Sequence, residues 1–145
     1  MALMEIQLTQ PDFGFTATDT AGHSLQIDIP VDQGGNGNGF RPMQTVLAAL
    51  GGCSGVDIVS ILKKQRQPLE GLVIRIDGER EKGKEPSIWE KIDLQFELSG
   101  DMDEAKAYRA VELSINKYCS VAETLRRAGG TITWNVIVNG KAVAF

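Results

Sequence analysis

Apolar and polar positions alternate with a period of two along much of this chain. Leu25-Gln26-Ile27-Asp28-Ile29 changes character at every residue, and residues 72–80 (LVIRIDGER) and 88–98 (IWEKIDLQFEL) alternate over most of their length. A period of two puts the apolar set on one face of a pleated strand, so each stretch predicts a half-buried β-strand. The polar segment EKGKEPS joins the last two, which predicts a long antiparallel hairpin. Residues 3–9 and 13–19 read as two further strands separated by Pro11-Asp12, and Ala21-Gly22 turns the chain into the strand at residue 25. Residues 131–138 (TITWNVIV) form a last strand before the turn signal Asn139-Gly140.

Elsewhere the period changes. From residue 42 to 62 the only formal charge is Asp57, and Val46, Leu47, Leu50, Val56, Ile58, Val59, Ile61 and Leu62 cover nearly the whole circumference of a helix. Pro42 suits the first turn, and the pattern predicts a helix over about 42–66. A helix apolar all round must be covered all round, so this one is central, sheathed by sheet or by a partner subunit. Asp101, with Glu104 three residues on, predicts the capped start of a second helix that carries Ala107, Tyr108, Val111, Leu113 and Ile115 towards Asn116. Ser120 and Glu123 repeat that spacing and predict a third helix, ending at Gly129-Gly130 with Arg126 and Arg127 in its last turn. Strands and helices are segregated rather than alternating. That predicts an α+β fold, and no linker divides residues 1–145, so a single domain is expected.

Composition narrows the function. The chain has 145 residues, 42% hydrophobic and 23% charged, with net charge −4. A chain of this length buries a core without staples. Lys63, Lys64 and Arg66, like Arg126 and Arg127, read as cations at helix C-termini, so no nucleic-acid partner is expected. No run of about 20 apolar residues is found, and the N-terminal residues lack a signal-peptide pattern, so no membrane partner and a cytoplasmic location are expected. The loop DQGGNGNG at 32–39 matches neither a dinucleotide nor a phosphate fingerprint. His23, the only histidine, sits in a turn and reads as a solvated loop residue.

The chemistry concentrates on two thiols. In Leu50-Gly51-Gly52-Cys53-Ser54-Gly55, three glycines crowd one cysteine inside the predicted helix. Glycine in a helix interior costs about 1 kcal/mol relative to alanine. Stripping side chains beside the sulfur permits close approach of a backbone or a substrate, and close helix packing is the simpler version of the same fact. Cys119 lies just before a predicted helix N-terminus, where the dipole favours thiolate. Two cysteines in a reducing compartment are not expected to be a structural staple. Asp57 shares the Cys53 face one turn on, and reads as a hydrogen-bonded structural residue.

The stretches Arg41-Pro42-Met43-Gln44 through Gly52-Cys53, and Tyr118-Cys119-Ser120-Val121, resemble the two cysteine motifs of the OsmC/Ohr family of thiol-dependent peroxidases. The resemblance covers nearly the whole chain in length, element order and cysteine separation. It implies an intertwined α+β homodimer with two central helices wrapped by antiparallel sheets and the sites at the subunit interface. It also implies a chemistry. Cys53 is the peroxidatic thiolate that opens the O–O bond of a small organic hydroperoxide, and Cys119 condenses with the resulting sulfenic acid to a disulfide. An external dithiol, of lipoyl type in some members of the family, resets the pair, and no metal, haem or flavin is called for. The family pairs its reactive cysteine with an arginine and a glutamate. Here Gln44 stands at the carboxylate position and no arginine precedes Arg41, which makes Arg41 and Gln44 the candidate binding residues. Two other classes stay open. One is a non-catalytic dimer binding an apolar ligand or partner in its groove; the other is a general thiol–disulfide protein.

Overall fold

The computed structural model describes residues 3–145. The elements run β1 (Met4–Gln10), β2 (Gly14–Asp19), β3 (Ser24–Ile27), α1 (Pro42–Lys64), β4 (Gly71–Arg80), β5 (Trp89–Ser99), α2 (Glu104–Leu113), α3 (Ser120–Arg127), β6 (Thr131–Val138) and β7 (Lys141–Val143). A single π-helical turn, Ser114–Tyr118, joins α2 to α3. The fold is α+β, as the segregated pattern predicts. The chain comprises two compact units that meet between Ala48 and Ala49, inside α1.

The first unit carries a three-stranded antiparallel sheet in the order β1-β2-β3. Ile6, Ala17 and Leu25 lie in one row across it, and Leu8, Phe15 and Ile27 in another, so one face is apolar. Ala17 is buried, yet Ile6 and Leu8 each remain 54% exposed. The loop after β3 is not loose. Asp28 reads as a solvent-facing position from alternation, but it is buried and its carboxylate accepts the backbone N–H groups of Ile29 (2.7 Å), Asn38 (3.3 Å) and Asn36 (3.4 Å). The Ile29 bond foremost holds the Asp28 pKa below the ordinary carboxylate value. Gly35 is needed here, since a Cβ would fall 2.1 Å from the Ile29 carbonyl oxygen.

The second unit is built on a four-stranded sheet in the order β4-β5-β6-β7. β4 and β5 form the expected antiparallel hairpin from Gly71↔Ser99 to Arg80↔Trp89. Ile92, Leu94, Phe96 and Leu98 alternate inward along β5 and are buried, which is the period of two made physical. The pairing of β5 with β6 differs from expectation, because it is parallel, Lys91↔Thr131 to Leu98↔Val138. Parallel neighbours need a crossover, and α2, the π-turn and α3 supply it. Ala107, Ala110, Val111, Ile115, Ala122 and Leu125 are the buried side of that crossover.

α1 ends at Lys64, two residues earlier than the pattern suggests, with Lys63 and Lys64 in its last turn. By length and composition it could cross a bilayer, which corrects the expectation that no such run exists. Its glycines, serines and threonine interrupt a strictly apolar count without making the segment polar. Its covered stripe is Leu50, Ser54, Ile58 and Leu62, and Ile74 and Ile76 of β4 lie against it, an open-sheet neighbour that lipid does not tolerate. Beside it Cys53 and Asp57 are half-buried, and on the far side Val56 is 71% exposed. Within the described residues, the all-round sheath that the apolar pattern calls for is half present.

Candidate active site: two thiols on neighbouring helices

Cys53 sits in the middle of α1, half-buried, and Cys119 is buried at the start of α3. Both are free thiols. The Cys53 thiol is close enough to Cys119 to raise its pKa, so the fold brings near one another two sulfurs that sequence spacing could not pair.

Cys119 is held by the helix it begins. It is the N-cap of α3, with extended φ/ψ of −74° and 106°, and its sulfur accepts the Ala122 N–H at 3.4 Å. The capping residue expected there was Ser120, which is instead the first helical residue, while Glu123 pairs with Arg127 at 2.9 Å. The cap lies one residue earlier because the thiol, not the hydroxyl, reaches the third N–H of the helix. At the far end Gly129 N–H bonds Arg126 O and Gly130 N–H bonds Leu125 O, both 2.9 Å, with Gly129 at φ +103°. That is the paired-bond ending a left-handed glycine permits. A two-residue difference affects α2: its cap is Asp103, whose carboxylate accepts Lys106 N–H at 3.0 Å, not Asp101.

The helix start was expected to favour a Cys119 thiolate. Burial outweighs it and pushes the thiol from the ordinary 9.0 up to about 11. The N–H groups of Ala122 and Val121 act in the opposite direction, and the Cys53 thiol adds to the rise. Cys119 is therefore protonated at neutral pH.

The glycines around Cys53 divide. A Cβ on Gly51 would lie 3.0 Å from Ile76 Cδ1, and one on Gly55 3.3 Å from Ile74 Cδ1. These two let α1 press onto β4, the simpler of the two readings. Gly52 meets nothing within 4 Å. It lies on a mostly apolar groove of about 660 Å³ with Val56, Val59, Leu72 and Ile74, which Ser60 and Lys63 also line.

Asp57 is hydrogen-bonded, as expected. Its carboxylate lies 3.1 Å from the buried Ser114 hydroxyl, and it lines a second groove of about 520 Å³ with Ser60, Lys64, Leu113 and Tyr118. Ser114 escaped the sequence reading. Its signal was a small polar residue on the apolar side of a helix, which composition alone does not distinguish from filler.

Arg41 and Gln44 occupy the start of α1. The Gln44 side-chain oxygen accepts the Arg41 N–H at 3.0 Å, half of a capping box. Arg41 is exposed and has no ion-pair partner among the described residues. His23 is in an exposed turn, its Nδ1 2.8 Å from Asp19 Oδ2. That bond foremost lowers the Asp19 pKa.

An α+β domain that juxtaposes two unbridged thiols, one on a long apolar helix and one capping a short helix, defines a class of small two-cysteine protein. The chain belongs to the OsmC-like protein family, whose model matches residues 35–135. Protein YhfA of Escherichia coli (strain K12) is 39% identical over 116 residues, covering 79% of this chain and 82% of that protein. A crystal structure of a protein from Aquifex aeolicus VF5 is 31% identical and superposes with a TM-score of 0.78, over 96% of this chain and 98% of that one. The Legionella pneumophila organic hydroperoxide resistance protein OsmC shares the fold at a TM-score of 0.66, with 17% identity over 95% of this chain and 96% of its own.

Proposed function

We propose that this chain is a thiol-dependent peroxidase for small organic hydroperoxides that acts as a homodimer in the cytoplasm. The observation that carries the reading is the half-buried Cys53 near enough to the buried Cys119 to act on its thiol. Cys53 sulfur attacks the hydroperoxide, the O–O bond breaks, the alcohol leaves, and a sulfenic acid remains on Cys53. Cys119 sulfur then attacks the sulfenic sulfur. The S–O bond breaks, and the departing hydroxide takes the thiol proton as water. A dithiol reductant, of lipoyl type in the family resemblance, exchanges with the disulfide and leaves oxidised. The fold neighbour from Legionella, described as an organic hydroperoxide resistance protein, accords with this reaction.

Reduced protein mixed with cumene hydroperoxide tests the reading by counting free thiols. The native chain is expected to lose both thiols and Cys119→Ser to accumulate a trappable sulfenic acid at Cys53. Cys53→Ser is expected not to react. Equal thiol counts with and without peroxide would remove the enzyme.

One observation favours a second reading. Gln44 cannot ionise, and its amide is engaged at the helix start, so no carboxylate acts from that position. A non-catalytic OsmC-like protein that binds an apolar ligand in the groove at Gly52, Val56 and Val59 would tolerate that loss. The same thiol count separates the two.

A further inference from the structure

We propose that Ser114 is a positioning residue for the thiol pair, holding Cys119 against the helix that carries Cys53. The inference rests on the two-cysteine reading. Ser114 is fully buried and grips both sides of the pair. Its hydroxyl lies 3.1 Å from the Ser54 carbonyl oxygen and 3.1 Å from Asp57 Oδ2, so its one proton is shared between two acceptors on α1, one of them on the residue next to Cys53. Its carbonyl accepts the Cys119 N–H at 2.7 Å. That bond spans five residues and makes the turn a π-turn, a form rare enough to be frequent at functional sites.

The geometry differs from ordinary serine behaviour in helices. Ser54 donates back to Leu50 O of its own helix at 3.0 Å, the usual local bond. Ser114 donates across to another helix. The widened turn also frees the Ile115 carbonyl, which an α-helical Cys119 N–H would have used. Arg126 Nη1 donates to it at 2.7 Å, and Nη2 reaches Asn116 Oδ1 at 3.3 Å. The turn that aims Cys119 is thus fastened to α1 by Ser114 and to α3 by Arg126.

Holding two thiols together lowers the entropy that disulfide formation must remove. The Cys53–Cys119 disulfide is therefore more stable, and the sulfenic acid resolves faster, than in a chain whose turn is loose. The test equilibrates native protein and variants in glutathione redox buffers and quantifies the disulfide by mass spectrometry. Ser114→Ala is expected to shift the equilibrium about tenfold towards the dithiol, about 30 mV for a two-electron couple, and Ser114→Thr to restore it. After one equivalent of cumene hydroperoxide, Ser114→Ala also accumulates dimedone-trapped Cys53 sulfenic acid, with the first oxidation step at the native rate.

Should Ser114→Ala not fold, Asp57 serves. Asp57→Ala removes one acceptor and shifts the equilibrium the same way, whereas Asp57→Asn keeps an acceptor oxygen and stays native. An unchanged equilibrium in folded Ser114→Ala overturns the proposal, as does an equal shift in Asp57→Asn and Asp57→Ala, which would mean charge rather than a clip. A native chain that forms no disulfide at any glutathione ratio overturns it too. A native chain that forms the disulfide but ignores hydroperoxide defeats the peroxidase reading alone.

Discussion

At the scale of single residues, Cys119 shows two local preferences in competition. A helix N-terminus favours an anion by a fraction of a kcal/mol to about 1 kcal/mol, and the buried site disfavours it by more, so the thiol titrates near 11. The consequence for stability has a definite sign. Between the ordinary 9.0 and about 11, the unfolded chain has lost the Cys119 proton and the folded chain retains it. Stability is therefore full below pH 9 and falls as pH rises through that window. Urea unfolding of reduced protein from pH 8 to 11 measures the slope. Cys119→Ser, which supplies a good capping hydroxyl without the titration, is expected to flatten it. Iodoacetamide at pH 8 is expected to label Cys53 well before Cys119 in the folded protein, as peptide mass mapping reads.

At the scale of elements, α1 has two different apolar sides, although its sequence is apolar all round. Leu50, Ile58 and Leu62 are fully buried, and Gly51 and Gly55 bring that side onto Ile76 and Ile74. Ile58→Ala is expected to cost about 2–5 kcal/mol, the range for buried large-to-small changes. The exposed Lys64→Ala should stay within about 0.5 kcal/mol. Denaturant midpoints at constant slope distinguish them. The strands were legible because alternation forces a face on each of them. The parallel β5–β6 pairing was not, since alternation is blind to strand direction. The caps of α2 and α3 were misplaced by one or two residues because neighbouring positions, Asp101 and Asp103, or Cys119 and Ser120, offer similar acceptors. Only the backbone angles decide which one reaches the N–H.

At the scale of the whole molecule, the uncovered surfaces bear on the proposed homodimer. Val56 at 71% and Val59 at 46% exposure lie on α1 beside the open Gly52, and the three-stranded sheet exposes Ile6 and Leu8. Water contact with such patches is costly at about 25 cal/mol per Å² of apolar area, and a second copy of the chain would remove it. Light scattering is expected to give a dimer at micromolar concentration. Val56→Lys, which sets a second ammonium beside Lys63 in the groove, is expected to shift the mass towards the monomer without unfolding the chain. A native monomer would contradict the assembly.

Local patterns were enough to read β1 to β6, the long apolar helix and the α+β class, and to single out Cys53 and Cys119 as candidates, because each is written in periodicity or in a motif a few residues long; the short β7 after Asn139-Gly140 was not read. Tertiary structure alone decided that the two thiols come near enough to interact, that Cys119 is a buried cap, and that Ser114 bonds to Ser54 and Asp57 of the helix carrying Cys53. Those are consequences of burial and of contacts between residues about 60 positions apart in the chain, and no local pattern encodes the dielectric or the neighbour that folding supplies.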